Sequence, residues 1–132
     1  MRYNIRMDGK NLQKQLVVLI LLIFTLNLLA NIFHWYYTIW FFDMFMHFWG
    51  GFWVGLLVFY LLHAEFSGRT LIWMLVWALV IGIGWEIYQF FLDQTISHRS
   101  FNAADTFSDL FFDLAGVATA AVYYSRKIIR SN

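Results

Sequence analysis

Four stretches of this chain, at about residues 16–33, 44–62, 71–92 and 106–124, are apolar for so long that water is excluded as their surroundings. A hydrocarbon core about 30 Å thick is crossed by roughly 20 helical residues, and each stretch is of that order. Lipid offers backbone groups no partners, so a spanning segment must satisfy its own N–H and C=O groups, as a helix or within a closed barrel. Barrel strands alternate apolar and polar residues over about ten positions; these runs are longer and apolar on every side. The expected fold is an all-α membrane protein: one domain over residues 1–132, a bundle of four transmembrane helices, with polar tails at 1–15 and 125–132. Composition agrees, since 61% of residues are hydrophobic and only 13% are charged, where a soluble domain is about a quarter charged. The absence of Cys excludes disulfides, thiolate nucleophiles and Cys metal sites.

Lys and Arg alone set the expected orientation. Arg2, Arg6, Lys10 and Lys14 precede the first run, Arg69 lies between the second and third, and Arg126, Lys127 and Arg130 follow the fourth. These eight share one side of the membrane, and Arg99 is alone on the other. The positive-inside rule then places both termini in the cytoplasm of a multi-pass protein of the cell membrane. Trp35, Tyr36, Tyr37 and Trp40 form an outer aromatic belt, and Tyr60, Trp73, Tyr123 and Tyr124 lie near the inner interface. The first run has the basic lead-in of a signal peptide. Its apolar stretch is long and no small-x-small cleavage pattern follows, so it is expected to remain as a span. Rich in Leu and poor in small residues, it should pack outside a tight trio made by the other three.

Those three each carry a stripe in which small residues give way to ionisable ones. The stripes are Asp43, His47, Gly51 and Gly55; Ala78, Gly82 and Glu86; and Asp105, Asp109, Asp113, Gly116 and Ala120. Steps of four, with one of three, hold each set on one helix face, so the residues that admit a close neighbour also aim the ionisable groups toward it. His47 lies about 6 Å deeper than Asp43, and Glu86 about 9 Å below the outer end of its helix, so the groups converge in the outer leaflet. The plain structural roles are clear enough: Asp43 and Asp105 stand where helix N-caps belong, and the small residues pack. A lone His47 would most simply be a hydrogen-bonded core histidine. Glu86 and Asp113 fit neither role. Moreover, Asp43, Glu86, Asp93, Asp105, Asp109 and Asp113 face Arg99 as the sole fixed cation of that half. Such an excess must be relieved by shared protons, water or a bound cation, and intramembrane charge is a functional-site signal.

His47, Glu86, Asp109 and Asp113 are accordingly the candidate catalytic groups, and Asp43, Gln89, Arg99 and Asp105 the candidate substrate contacts. Histidine with carboxylates can ligate a divalent metal such as Zn, Mn or Mg, which would activate water or grip phosphate. A metal-free site would use Glu86 or an Asp as general base with His47 as its partner. The residue types leave both open. No HExxH, Gly-x-Ser-x-Gly, phosphate-cradling Gly loop or dinucleotide fingerprint is present. Nothing supports nucleic-acid binding, because short basic segments beside apolar helices mark topology or anionic lipid. The bilayer is the one partner the composition requires; self-association is left open.

Asp43-x-x-x-His47 at a helix start, Glu86-x-x-Gln89 late in the next, then Arg99 and Asp109-x-x-x-Asp113-x-x-Gly116 together resemble the pattern of VanZ-like membrane proteins, named for teicoplanin resistance. The segment from Asp105 to Leu110 is similar to the related YjdF-type inner-membrane proteins. The resemblance covers about residues 42–120 and implies a bacterial inner-membrane protein of the cell envelope. It departs from the VanZ-like pattern at Met44, where Lys is common, and at Asp113, where Asn is common. The expected function is recognition or modification of the headgroup of a membrane lipid or envelope precursor in an outward-facing acidic pocket. The alternatives are a proton- or cation-coupled transporter subunit and a structural or assembly subunit.

Overall fold

The computed structural model describes residues 9–62, 67–98 and 100–130, and every regular element among them is helical. Helix α1 is Gly9–Ile32, α2 a single turn at Trp35–Thr38, α3 Phe42–Leu62, α4 Gly68–Leu92 and α5 Ala103–Arg130; a π-helical turn at Asp93–Ser97 prolongs α4. Three of these, Gly9–Ile32, Phe42–Leu62 and Gly68–Ile96, are long and apolar enough to cross a membrane. The fourth long helix, α5, carries Asp105, Asp109 and Asp113 in its first turns. Helices α1 and α5 reach further into the polar ends than the apolar runs suggest. The reason is that the intrahelical hydrogen-bond ladder continues through good helix formers such as Lys10, Gln13 and Lys14, whereas hydropathy registers only the stretch in lipid. Arg2 and Arg6 lie outside the described residues.

With no Pro in the chain, helix ends are made by polar caps and left-handed residues. Ser67 is extended and its Oγ accepts from the amide of Thr70 at 3.3 Å, starting α4. Asn102, not Asp105, caps α5: its Oδ1 accepts from the amide of Ala104 at 3.2 Å. Asp105 sits inside the first turn, where an acid still favours the positive end of the helix dipole. Asp43 likewise lies within the first turn of α3. His34 and His98, at φ 57° and 50°, turn the chain between helices. His is among the residues that tolerate this region better than most.

Helix α3 is the axis of the bundle, packed against α1, α4 and α5. Its closest approach is to α5, and missing side chains make it. A Cβ on Gly51 would run into the backbone carbonyl of Asp113, and one on Gly116 into the carbonyl of Phe48 and the amide of Phe52. Below them a Cβ on Gly55 would lie 3.0 Å from Ala120 Cβ and 3.4 Å from Val117 Cα. The core continues through Leu56, Met74, Val117 and Ala120, each at most 1% exposed. Helix α1 joins at its N-terminal half, where Leu12 and Leu16 are buried and Trp53 Nε1 donates to the Leu16 carbonyl at 2.9 Å. Only 11% of its apolar window is buried, against 44% for α3. Its outer face, including Leu21, Phe24 and Leu28, is the surface lipid would cover.

Candidate functional site

The glycine contacts that draw α5 against α3 and α4 also decide where the acids point. Gly82 leaves room on α4 for the Asp113 carboxylate, which a Cβ there would strike. Asp109 stands one turn nearer the helix start on the same face. From α3, His47 enters the space between α4 and α5, and the imidazole is only 6% exposed. Its Nδ1 lies 3.2 Å from Asp113 Oδ1, so against a carboxylate Nδ1 donates. That hydrogen bond leaves Nε2 of a neutral ring as the lone-pair nitrogen. Nε2 faces three more carboxylates, from three helices: Glu86 Oε1 at 3.6 Å, Asp43 Oδ1 at 3.7 Å and Asp109 Oδ2 at 3.8 Å.

Among the described residues, His47 is the only basic side chain that Asp43, Glu86, Asp109 and Asp113 meet. Asp109 is 1% exposed and Asp113 6%. Neutral partners supply part of the hydrogen bonding. Thr106 Oγ1 donates to Glu86 Oε2 at 2.9 Å, and the Gln89 side chain stands near Asp43. Much is left over: His47 Nε2, Glu86 Oε1, Gln89 Oε1, Asp109 Oδ1 and Asp113 Oδ2 are buried without a hydrogen-bond partner among the described residues. Buried polar atoms are ordinarily paired, so five orphans in one place are a property of this site. Asp43, His47 and Asp109 each present a ligand atom within 4.8 Å of the others, a spacing that can hold a cation.

Above the cluster, between α4, α5 and the connection joining them, lies a cavity of about 520 Å³. Glu86, Gln89, Thr106 and Asp109 line it from the side of the cluster, and Asp93, Asp105 and His98 from the rim. Beside it an apolar cleft of about 350 Å³ runs between α4 and α5, lined by Ile83, Ile87 and Leu110. Glu86, Phe90, Phe101 and Thr106 line both. Outside the spans, Tyr36 stands near Asp43; burial first, and that carboxylate second, push its phenol up to about 12. It remains a donor, to Asn27 Oδ1 at 2.7 Å.

Of the residues singled out in the sequence, Asp43, His47, Glu86, Gln89, Asp109 and Asp113 come together, and Asp105 lies exposed at the cavity rim. Arg99 falls outside the described residues. Thr106 was missed as a site residue, although it lies three before Asp109 on the same stripe. Phe90 and Phe101 had no polar signal to mark them.

An all-helical chain with three lipid-compatible helices and a buried ionisable cluster defines a class, the multi-pass integral membrane proteins. Within it, this chain belongs to the family described as "Predicted membrane protein (DUF2238)", whose profile matches residues 5–130. No curated protein and no solved structure matches it.

Proposed function

We propose that this is a four-span membrane protein with both termini in the cytoplasm, whose outward-facing cavity receives the headgroup of a membrane lipid or lipid-linked envelope precursor. One observation carries this reading: a polar cavity and an apolar cleft lie side by side and share Glu86, Phe90, Phe101 and Thr106. An amphiphile needs that pairing, a polar end held by a few placed hydrogen-bonding groups and an apolar chain beside it. A free ion or small solute would need no cleft. Carboxylates repel bare phosphate, so the cavity suits a cationic or sugar-like headgroup, with Gln89, Thr106 and Asp105 as contacts. The resemblance of the ordered motifs to the VanZ-like pattern supports an envelope setting, and the departures at Met44 and Asp113 argue against carrying over teicoplanin resistance.

The test is lipid retained through gentle detergent purification, read by native mass spectrometry. Ile87 lines the cleft and is 53% exposed, so a larger ring there fills the cleft without entering the core. Ile87→Trp should lower bound lipid about tenfold, roughly 1.4 kcal/mol of affinity, with an unchanged melting temperature. Equal lipid on both proteins would refute the proposal.

A further inference from the structure

We propose that His47 is the centre of a divalent transition-metal site, in which His47 Nε2 and carboxylate oxygens of Asp43 and Asp109 bind the ion, Glu86 stands beside it and Asp113 orients the imidazole. The acids alone would not justify this. The independent observation is His47 itself, 94% buried by its 6% exposure, with Nε2 aimed into the cluster and without a hydrogen-bond partner.

Distances separate a metal site from a hydrogen-bonded network. A hydrogen bond from imidazole to a carboxylate brings N and O to about 2.7–2.9 Å, and the Nδ1 contact to Asp113 at 3.2 Å approaches this. The three contacts of Nε2, at 3.6, 3.7 and 3.8 Å, do not. They come close to the spacing of ligand atoms around one tetrahedral ion: bonds of about 2.0–2.1 Å put neighbouring ligands about 3.4 Å apart. Two of these oxygens, from Asp43 and Asp109, also lie within 4.8 Å of each other, so with Nε2 they outline three positions around one ion.

The remaining parts of such a site are present. Metal-bound histidines commonly donate their other ring N–H to a carboxylate, which fixes the tautomer and the ring plane; Asp113 does this for His47, with Gly82 leaving space behind it. Four carboxylates around one imidazole leave an excess of negative charge that a dication would halve. An imidazole nitrogen with carboxylate oxygens, in a chain without Cys, suits Zn²⁺ or Mn²⁺ rather than a soft ion. Glu86 and Asp109 also line the cavity, giving an ion its way in. The metal site does not depend on what enters the cavity.

The experiment uses the whole protein, purified in mild detergent and stripped with a chelator, then titrated with Zn²⁺ and with Mn²⁺. Elemental analysis, calorimetry and thermal shift are the readouts, none of which involves lipid. One ion per chain should bind and raise the melting temperature. His47→Gln and Asp109→Asn should each weaken binding at least 100-fold. Asp113→Asn, which leaves the binding atoms in place, should weaken it 10–100-fold with stoichiometry unchanged. His34→Ala, at an exposed turn, should bind as the parent does. Wild type that neither binds nor melts higher with either ion overturns the proposal without reference to any variant, as does equal binding by His47→Gln. A metal result of either kind, read beside the Ile87→Trp lipid result, keeps the two proposals separately testable.

Discussion

Gly82 and Asp113 show how much of this site rests on single atoms. The carboxylate that holds His47 occupies the space where a methyl group on Gly82 would be, with Leu110 Cδ2 only 3.1 Å from that position. Gly82→Ala would therefore displace Asp113 and release the imidazole. Asp109 poses the opposite question, a carboxylate at 1% exposure whose nearest basic neighbour is an imidazole 3.8 Å away. Without metal, its desolvation and the repulsion of its neighbours oppose folding. Asp109→Asn removes the charge at constant shape and offers N–H donors to Glu86 and Asp43. In the presence of chelator the variant should be more stable than wild type by roughly 1–2 kcal/mol, read as a higher melting temperature. A lower one would mean that the charge itself holds the helices together.

At the scale of the helices, the two faces of the bundle differ in what a substitution can do. Between α3 and α5 the backbones touch through Gly51 and Gly116, so a side chain has nowhere to go. Gly51→Ala should cost about 1–3 kcal/mol by overpacking, and Gly51→Leu should abolish folded yield. Helix α1 presents Leu21 outward at 60% exposure, and Leu21→Ala exchanges one lipid-facing apolar surface for another. It should cost under roughly 0.5 kcal/mol. Comparable losses at the two positions, measured by thermal melting in detergent, would contradict a core built on the small residues of α3, α4 and α5. The tie between α1 and α3 is local instead, and Trp53→Phe should loosen it by removing the hydrogen bond to Leu16.

For the whole molecule, the cluster lies at the start of α3, the end of α4 and the start of α5, so one end of the bundle is polar inside and the other is closed by Leu56, Val58, Phe59 and Met74. A protonatable relay through the membrane has no continuation toward that second end among the described residues. The proposed outward orientation of the polar end rests on the basic residues, eight against one. Because the chain has no Cys, single cysteines report it cleanly. In intact cells, Ser100→Cys should react with an impermeant maleimide and Lys10→Cys should not. Labelling of the second from outside would invert the topology and, with it, the side from which the cavity is reached.

Much of this architecture was legible before any coordinates. Uninterrupted apolar runs admit only helices, because backbone groups in lipid have no other partner, and i, i+4 spacing alone put Asp43 with His47 and Asp109 with Asp113 on shared faces. The small residues on those faces marked where helices would meet. The cap of α5 was legible but misassigned, since Asn102 competes with an Asp105 already drawn into the acidic stripe. Other features arise only when separate helices meet at a definite rotation and depth. The assignment of Nδ1 to Asp113 and of Nε2 to the other three acids depends on the ring plane, which a linear pattern does not encode. The cavity and cleft depend on how the connection after α4 folds back with Phe101. Periodicity specifies what lies on one helix face. Which atom faces which across the gap is decided by how closely Gly51, Gly82 and Gly116 let the three backbones approach.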